Sequence, residues 1–99
     1  MHYLKPNTFK KISEETTIEN YNFSDLDNLG LSILVSVGGE DKLGVEKYDR
    51  ILILDEGLAF VEISGKNFEL RDGSVLEIPA GTELTINGFY KAKLVKNNK

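Results

Sequence analysis

The chain is predicted to be all-β, a small barrel or sandwich, and three observations carry that expectation. Apolar and polar residues alternate with period two from Leu31 onward, turn residues interrupt the apolar runs every 8 to 12 positions, and no amphipathic helix of ten or more residues can be drawn. Ninety-nine residues suit one domain with a modest core. The expected layout is one domain over 1–99, in which residues 1–30 form an N-terminal strand segment packing on a barrel built from 31–99.

Each element has its own signal. "TTIENYNFSD", before Leu31, is expected to add one strand at an edge. "LSILVSV" sets Leu31, Ile33, Val35 and Val37 against Ser32, Leu34 and Ser36, the alternation of a half-buried strand, and Gly38-Gly39 is expected to end it. "RILILD" is apolar on both faces, Leu52 and Leu54 on one and Ile51 and Ile53 on the other, which calls for an outer cover as well as a core. Glu56-Gly57 closes that strand, "LAFVEI" follows, and Ser64-Gly65 joins it to "KNFEL" as a hairpin. Turns at Arg71-Asp72-Gly73, Pro79-Ala80-Gly81 and Asn87-Gly88 then separate "SVLEI", "ELTI" and "FYKAKLV".

Composition excludes several functions. A net charge of −4 speaks against nucleic acid, which needs cations gathered on one face. The lysines instead collect near the ends, with Lys5, Lys10 and Lys11 at one and Lys91, Lys93, Lys96 and Lys99 at the other, and are read as solvated. The chain has no cysteine, hence no disulfide, thiolate nucleophile or Cys-ligated zinc. No signal-like or membrane-spanning apolar run occurs, so a cytoplasmic location without membrane contact is expected. His2, the single histidine, sits one residue from the terminus and is given no role. Ser74 and Thr82 lack a histidine partner for nucleophilic catalysis, and no glycine-rich loop precedes a helix.

The stretch "GSVLEIPAGTEL" carries a resemblance. Gly73, Pro79 and Gly81 stand at the spacings of the second cupin motif, and Leu84 occupies its histidine place; the motif's asparagine falls on Gly88, one residue from Asn87. Laying the first motif back from Gly57 puts its glutamate at Arg50, its two histidines at Glu46 and Gly44, and its opening glycine at Gly38. The hairpin "LAFVEISGKNFELRDG" also looks like the family's link between motifs. The chain thus resembles the cupins over about half its length, Gly38 to Gly88. What the resemblance implies is a jelly-roll β-barrel, a cupin-like double-stranded β-helix, whose usual metal site is missing: of the four ligand places only Glu46 suits a metal. No metal and no cofactor are expected.

In the implied register Gly44, Glu46, Tyr48, Arg50, Leu52 and Leu54 share the inward parity. Glu46, Tyr48, Arg50, Leu84 and Tyr90 are then the candidate pocket, apolar below and charged at its rim. Arg50 would offer its guanidinium fork to a carboxylate or phosphate with the tyrosines beside it; alternatively Glu46 and Arg50 form a solvated ion pair and the tyrosines are packing. Glu46 or a bound anion is the expected partner of Arg50.

Three functions compete. The leading one is a non-catalytic binding module for a small, anionic metabolite or a partner protein. The second is a metal-independent sugar or small-molecule isomerase or epimerase, with Glu46 as base and Tyr48 or Tyr90 as acid. The third is a metal cupin with carboxylate ligands, Glu46 together with Glu77 or Glu83. A homodimer is expected as well, because Ile51 and Ile53 leave an apolar outer face and cupins commonly pair through their sheets.

Overall fold

The β-branched and alternating runs form strands where the periodicity places them, but the strands are fewer and longer than the turn residues suggest. The computed structural model describes residues 8–22 and 29–97. Its elements are β1 (Thr8–Lys11), β2 (Thr16–Asn22), β3 (Leu29–Leu43), β4 (Arg50–Ile63), β5 (Lys66–Arg71), β6 (Val75–Ile78) and β7 (Leu84–Asn97). All pair antiparallel in the order β1-β2-β3-β7-β4-β5, with β6 on the other half of β4. The segment before Leu31 is thus a strand, as expected, but β1 rather than β2 lies at the edge. Residues 23–25 of that stretch lie outside the described residues.

Three expected strand breaks are bends instead. The pairing shifts between Val37 and Glu40 in β3 and between Leu54 and Glu56 in β4, while β7 runs unbroken through Asn87-Gly88. These points lie side by side, since Val37 and Leu58 both face Phe89, Gly57 faces Tyr90, and Ala59 faces Gly88. A single crease therefore crosses the three long strands. Gly57 and Gly88 have φ of 105° and 135°, and a Cβ would strike the Phe89 carbonyl oxygen at the first and the Leu58 carbonyl oxygen at the second. Glycine serves here to let a strand bend against its neighbour rather than to end it.

The crease divides the sheet into two facing halves. One holds β1, β2, β6 and the adjoining parts of β3, β7 and β4; the other holds β5 and the remaining parts of those long strands. Leu34, Leu52, Leu54, Ile78, Leu84, Ile86 and Ala92 fill the space between them. Ser64-Gly65 forms the expected hairpin turn, both residues at positive φ (51° and 80°), the geometry that matches strand twist. The outer face is apolar well beyond Ile51, which is 41% exposed: Val37 and Phe89, in register on β3 and β7, are 63% and 67% exposed, and Phe60 is exposed beside them. No helix among the described residues is long and apolar enough to cross a membrane.

Candidate functional site

The inward parity of Arg50, Leu52 and Leu54 is observed: all three are buried at the start of β4. Residues 44–49 form a loop rather than an extension of that strand. Its position is set by backbone contacts, the Gly81 N–H donating to the Glu46 carbonyl at 2.8 Å and the Ala80 N–H donating to Asp49 Oδ1 at 2.8 Å. The Pro79-Ala80-Gly81 turn thus holds the loop that carries two candidate residues. Asp49 is a positioning residue that sequence reasoning left among scattered carboxylates, and no local pattern marks it, because its partner is 31 positions away.

Glu46, Tyr48 and Arg50 come together on the wall of one cavity of about 370 Å³. Ile18, Leu43 and Leu94 supply apolar surface to it, and Ser32 and Asn20, hydrogen bonded to each other at 2.6 Å, supply polar surface. Leu84 and Tyr90 are not among its walls; both are buried in the core, Leu84 opposite Leu43 and Ile63, Tyr90 opposite Ser36.

Sequence reasoning missed Lys96, which it placed among solvated terminal lysines. Lys96 is the cross-strand partner of Arg50, so the two cations lie side by side on one face. Its stem passes over Gly30, where a Cβ would come within 2.8 Å of Lys96 Cγ, so a larger residue there would displace the stem. The ammonium donates to the Tyr48 hydroxyl at 3.2 Å and stands 5.3 Å from the ring centroid. Those two distances put it beyond the hydroxyl end rather than over the ring face, a hydrogen bond in character.

Arg50 is 4% exposed. The expected pair with Glu46 does not form: Arg50 Nη2 donates instead to the Thr82 carbonyl at 2.8 Å. The physical reason lies in the turn after β6, which brings the Thr82 carbonyl to Arg50 and at the same time ties down the Glu46 backbone. Arg50 Nε is buried without any partner. The ion pairs of the described residues are Lys42–Glu83, Arg71–Glu69 and Lys93–Asp55, so no carboxylate neutralises Arg50 or Lys96.

A second polar group lies elsewhere inside the barrel. The Thr16 hydroxyl donates to Asp41 Oδ2, the Ser36 hydroxyl lies 2.9 Å from Thr16 Oγ1, and the Gly39 N–H donates to Ser36 Oγ at 3.1 Å. A carboxylate only accepts, so the Thr16 proton is committed to Asp41 and the Ser36 proton to Thr16. Tyr90 Oη is buried without a partner, and burial, with a smaller contribution from the Asp41 charge, pushes its ionisation well above the ordinary tyrosine range. That disfavours ionisation of Tyr90 near neutral pH.

The ligand places implied by the cupin resemblance do not fit a metal. Leu84 has no donor, Arg50 is a cation, Gly44 has no side chain, and Glu77 and Glu83 do not join Glu46, Glu83 being paired with Lys42. No group of three or more His, Cys, Asp or Glu among the described residues is arranged to hold a metal ion. His2 lies outside the described residues.

No family model and no curated protein matches the sequence. Solved structures do match in shape. The plu4264 protein of Photorhabdus luminescens superposes with a TM-score of 0.80 over 100% of this chain and 88% of its own, at 10% identity. An RmlC-like cupin from Shewanella frigidimarina gives 0.78 over 93% and 84%, at 13% identity. KdgF from a Halomonas species gives 0.74 over 94% and 88%, at 14% identity. Such identities speak to architecture alone, and with the seven-stranded creased sheet they establish it: the chain has the cupin-like jelly-roll fold.

Proposed function

We propose that the protein is a non-catalytic binding module that takes a small anionic metabolite into the cavity beside Arg50. One observation carries this. A guanidinium that is 4% exposed keeps an unpartnered Nε, next to a second cation, in a chain whose net charge is −4. An arginine remains charged when buried, and a buried cation without a counter-charge costs several kcal/mol. Two like charges opposite each other on neighbouring strands add to that cost. An anion between Arg50 and Lys96 offsets both terms at once. The space of about 370 Å³ is at the small end of ligand pockets, roughly 300–1,000 Å³.

The test is a thermal-shift series with small carboxylates on the native chain and on Arg50→Met. A ligand present at about 100 times its Kd stabilises by about 2.7 kcal/mol, and such stabilisation is expected in the native chain and absent from the variant. Methionine fills similar volume, so the variant is expected to fold. An unchanged ligand response in Arg50→Met removes Arg50 from the site.

We also propose that a second copy of the chain covers the outer face. The support is the row Val37, Phe89 and Leu58 across β3, β7 and β4, with Phe60 beside it and a depression of about 340 Å³ between Phe60 and Phe89. An exposed apolar surface of this kind favours self-association. Light scattering at micromolar concentration is expected to give a dimer, and Phe89→Ser a monomer. A native chain that is only monomeric refutes the pairing.

A further inference from the structure

Binding of an anion gives a role to Arg50 and Lys96 but none to Glu46. Glu46 is half-buried on the wall of the same cavity, and among the described residues no donor or cation reaches its carboxylate. Opposite charges that share a small cavity attract, yet Glu46 pairs with neither Arg50 nor Lys96, and the backbone around it is tied elsewhere. The Glu46 carbonyl accepts from Gly81 at 2.8 Å, while Asp49, three residues on, accepts from Ala80 through its side chain at 2.8 Å and from Asn97 through its carbonyl at 3.3 Å. Both parts of the loop are therefore tied, and the Arg50 guanidinium is held separately by the Thr82 carbonyl.

The cavity then offers three kinds of surface: a cationic side at Arg50 and Lys96, an anionic side at Glu46, and apolar surface from Ile18, Leu43 and Leu94, while Lys42 on its wall is already paired with Glu83. A monoanion satisfies only the first and third. A phosphate monoester is disfavoured, because Glu46 repels a dianion and no helix N-terminus occurs among the described residues to cradle it. We propose that the ligand is a small amino carboxylate. Its carboxylate accepts from Lys96 Nζ and lies against the positive charge of the Arg50 guanidinium, its ammonium donates to the Glu46 carboxylate, and the methylenes between them lie on the apolar surface. This rests on anion binding at Arg50 and narrows it to one chemical class.

The experiment compares the full chain with glycine, 4-aminobutanoate, 5-aminopentanoate and 6-aminohexanoate, and with the plain carboxylates and plain amines of the same lengths, by calorimetry and thermal shift. At least one amino carboxylate is expected to bind about tenfold more tightly than its plain carboxylate, the effect of one charge-assisted hydrogen bond. Glu46→Gln is expected to remove that preference while leaving plain carboxylate binding intact, and Arg50→Met to remove both. Equal affinity with and without the amine in the native chain overturns the amino-carboxylate assignment and leaves anion binding standing. Plain amines that bind while no carboxylate does overturn both. The native comparison alone decides between these outcomes, so the test survives a variant that fails to fold.

Discussion

Two polar groups lie inside this barrel, and they are completed in opposite ways. Thr16, Ser36 and Asp41 pass hydrogen bonds from one to the next and end on a backbone amide at Gly39, so the one charge among them is solvated by the chain itself. Arg50 and Lys96 meet only neutral groups, the Thr82 carbonyl and the Tyr48 hydroxyl, and a cavity lies against them. Tyr90 and Lys96 sit six residues apart on β7, up to roughly 20 Å of strand, so the two groups are separate. A buried network closed within the chain holds the fold together, whereas one left open costs stability until something outside the chain completes it. The contrast separates polarity that is structural from polarity that points to a ligand.

The largest expected effect falls on the closed group. Thr16→Val removes the donor of a buried carboxylate, which costs about 2 kcal/mol, and lowers Tm by roughly 10 °C in a domain of this size. Ligand-induced stabilisation, measured by the same melting curves, is expected to persist. A loss of ligand response in Thr16→Val shows the two groups to be coupled and breaks the comparison.

Tyr90→Phe probes, through pH, the buried hydroxyl beside the closed group, which is neutral and has no partner of its own. In the native state burial holds Tyr90 protonated, while the unfolded chain ionises it near its ordinary value of about 10. Above that pH the native state binds more protons than the unfolded state, so stability falls as pH rises. The phenylalanine variant is expected to melt within about 1 kcal/mol of the native chain at pH 7, because the lost hydroxyl had no partner, and to lose part of the decline above about pH 10. An alkaline decline identical in both proteins shows that Tyr90 ionises as freely in the folded chain as in the unfolded one.

Lys96→Met gives the smallest expected change in stability and the sharpest view of the open group. Removing one of two adjacent like charges is expected to leave Tm unchanged or to raise it by a few tenths of a kcal/mol in equivalent stability, while weakening carboxylate binding. A clear loss of stability in the unliganded variant means that Lys96 is a structural residue through its stem and its bond to Tyr48, and moves it to the other side of the comparison.

Much of the architecture was legible because its causes are local. Period-two alternation in "LSILVSV" and "RILILD" predicted strands, the cupin resemblance implied the inward side of Arg50, Leu52 and Leu54, and Ser64-Gly65 predicted the hairpin from two residues. The glycines at 38, 57 and 88 misled, since a glycine at positive φ serves a turn and a bulge equally well, and nothing nearby in sequence distinguishes them. The candidate site was legible in part. Glu46, Tyr48 and Arg50 do share a cavity, Leu84 and Tyr90 belong to the core, and Lys96 was hidden among terminal lysines.

By itself, then, the sequence determined the all-β class, the hairpin and which residues of β4 share a face, because side-chain alternation and turn chemistry act within a few residues, while the choice of the inward face came from the cupin resemblance. Tertiary structure alone decided that three would-be breaks become one crease, that Arg50 bonds Thr82 instead of Glu46, and that Lys96 stands beside Arg50. Those outcomes depend on which strands become neighbours. Arg50 and Thr82 are 32 positions apart and meet only when β6 pairs with the start of β4, and Lys96 reaches Arg50 only when β7 pairs with β4, so no local pattern records them.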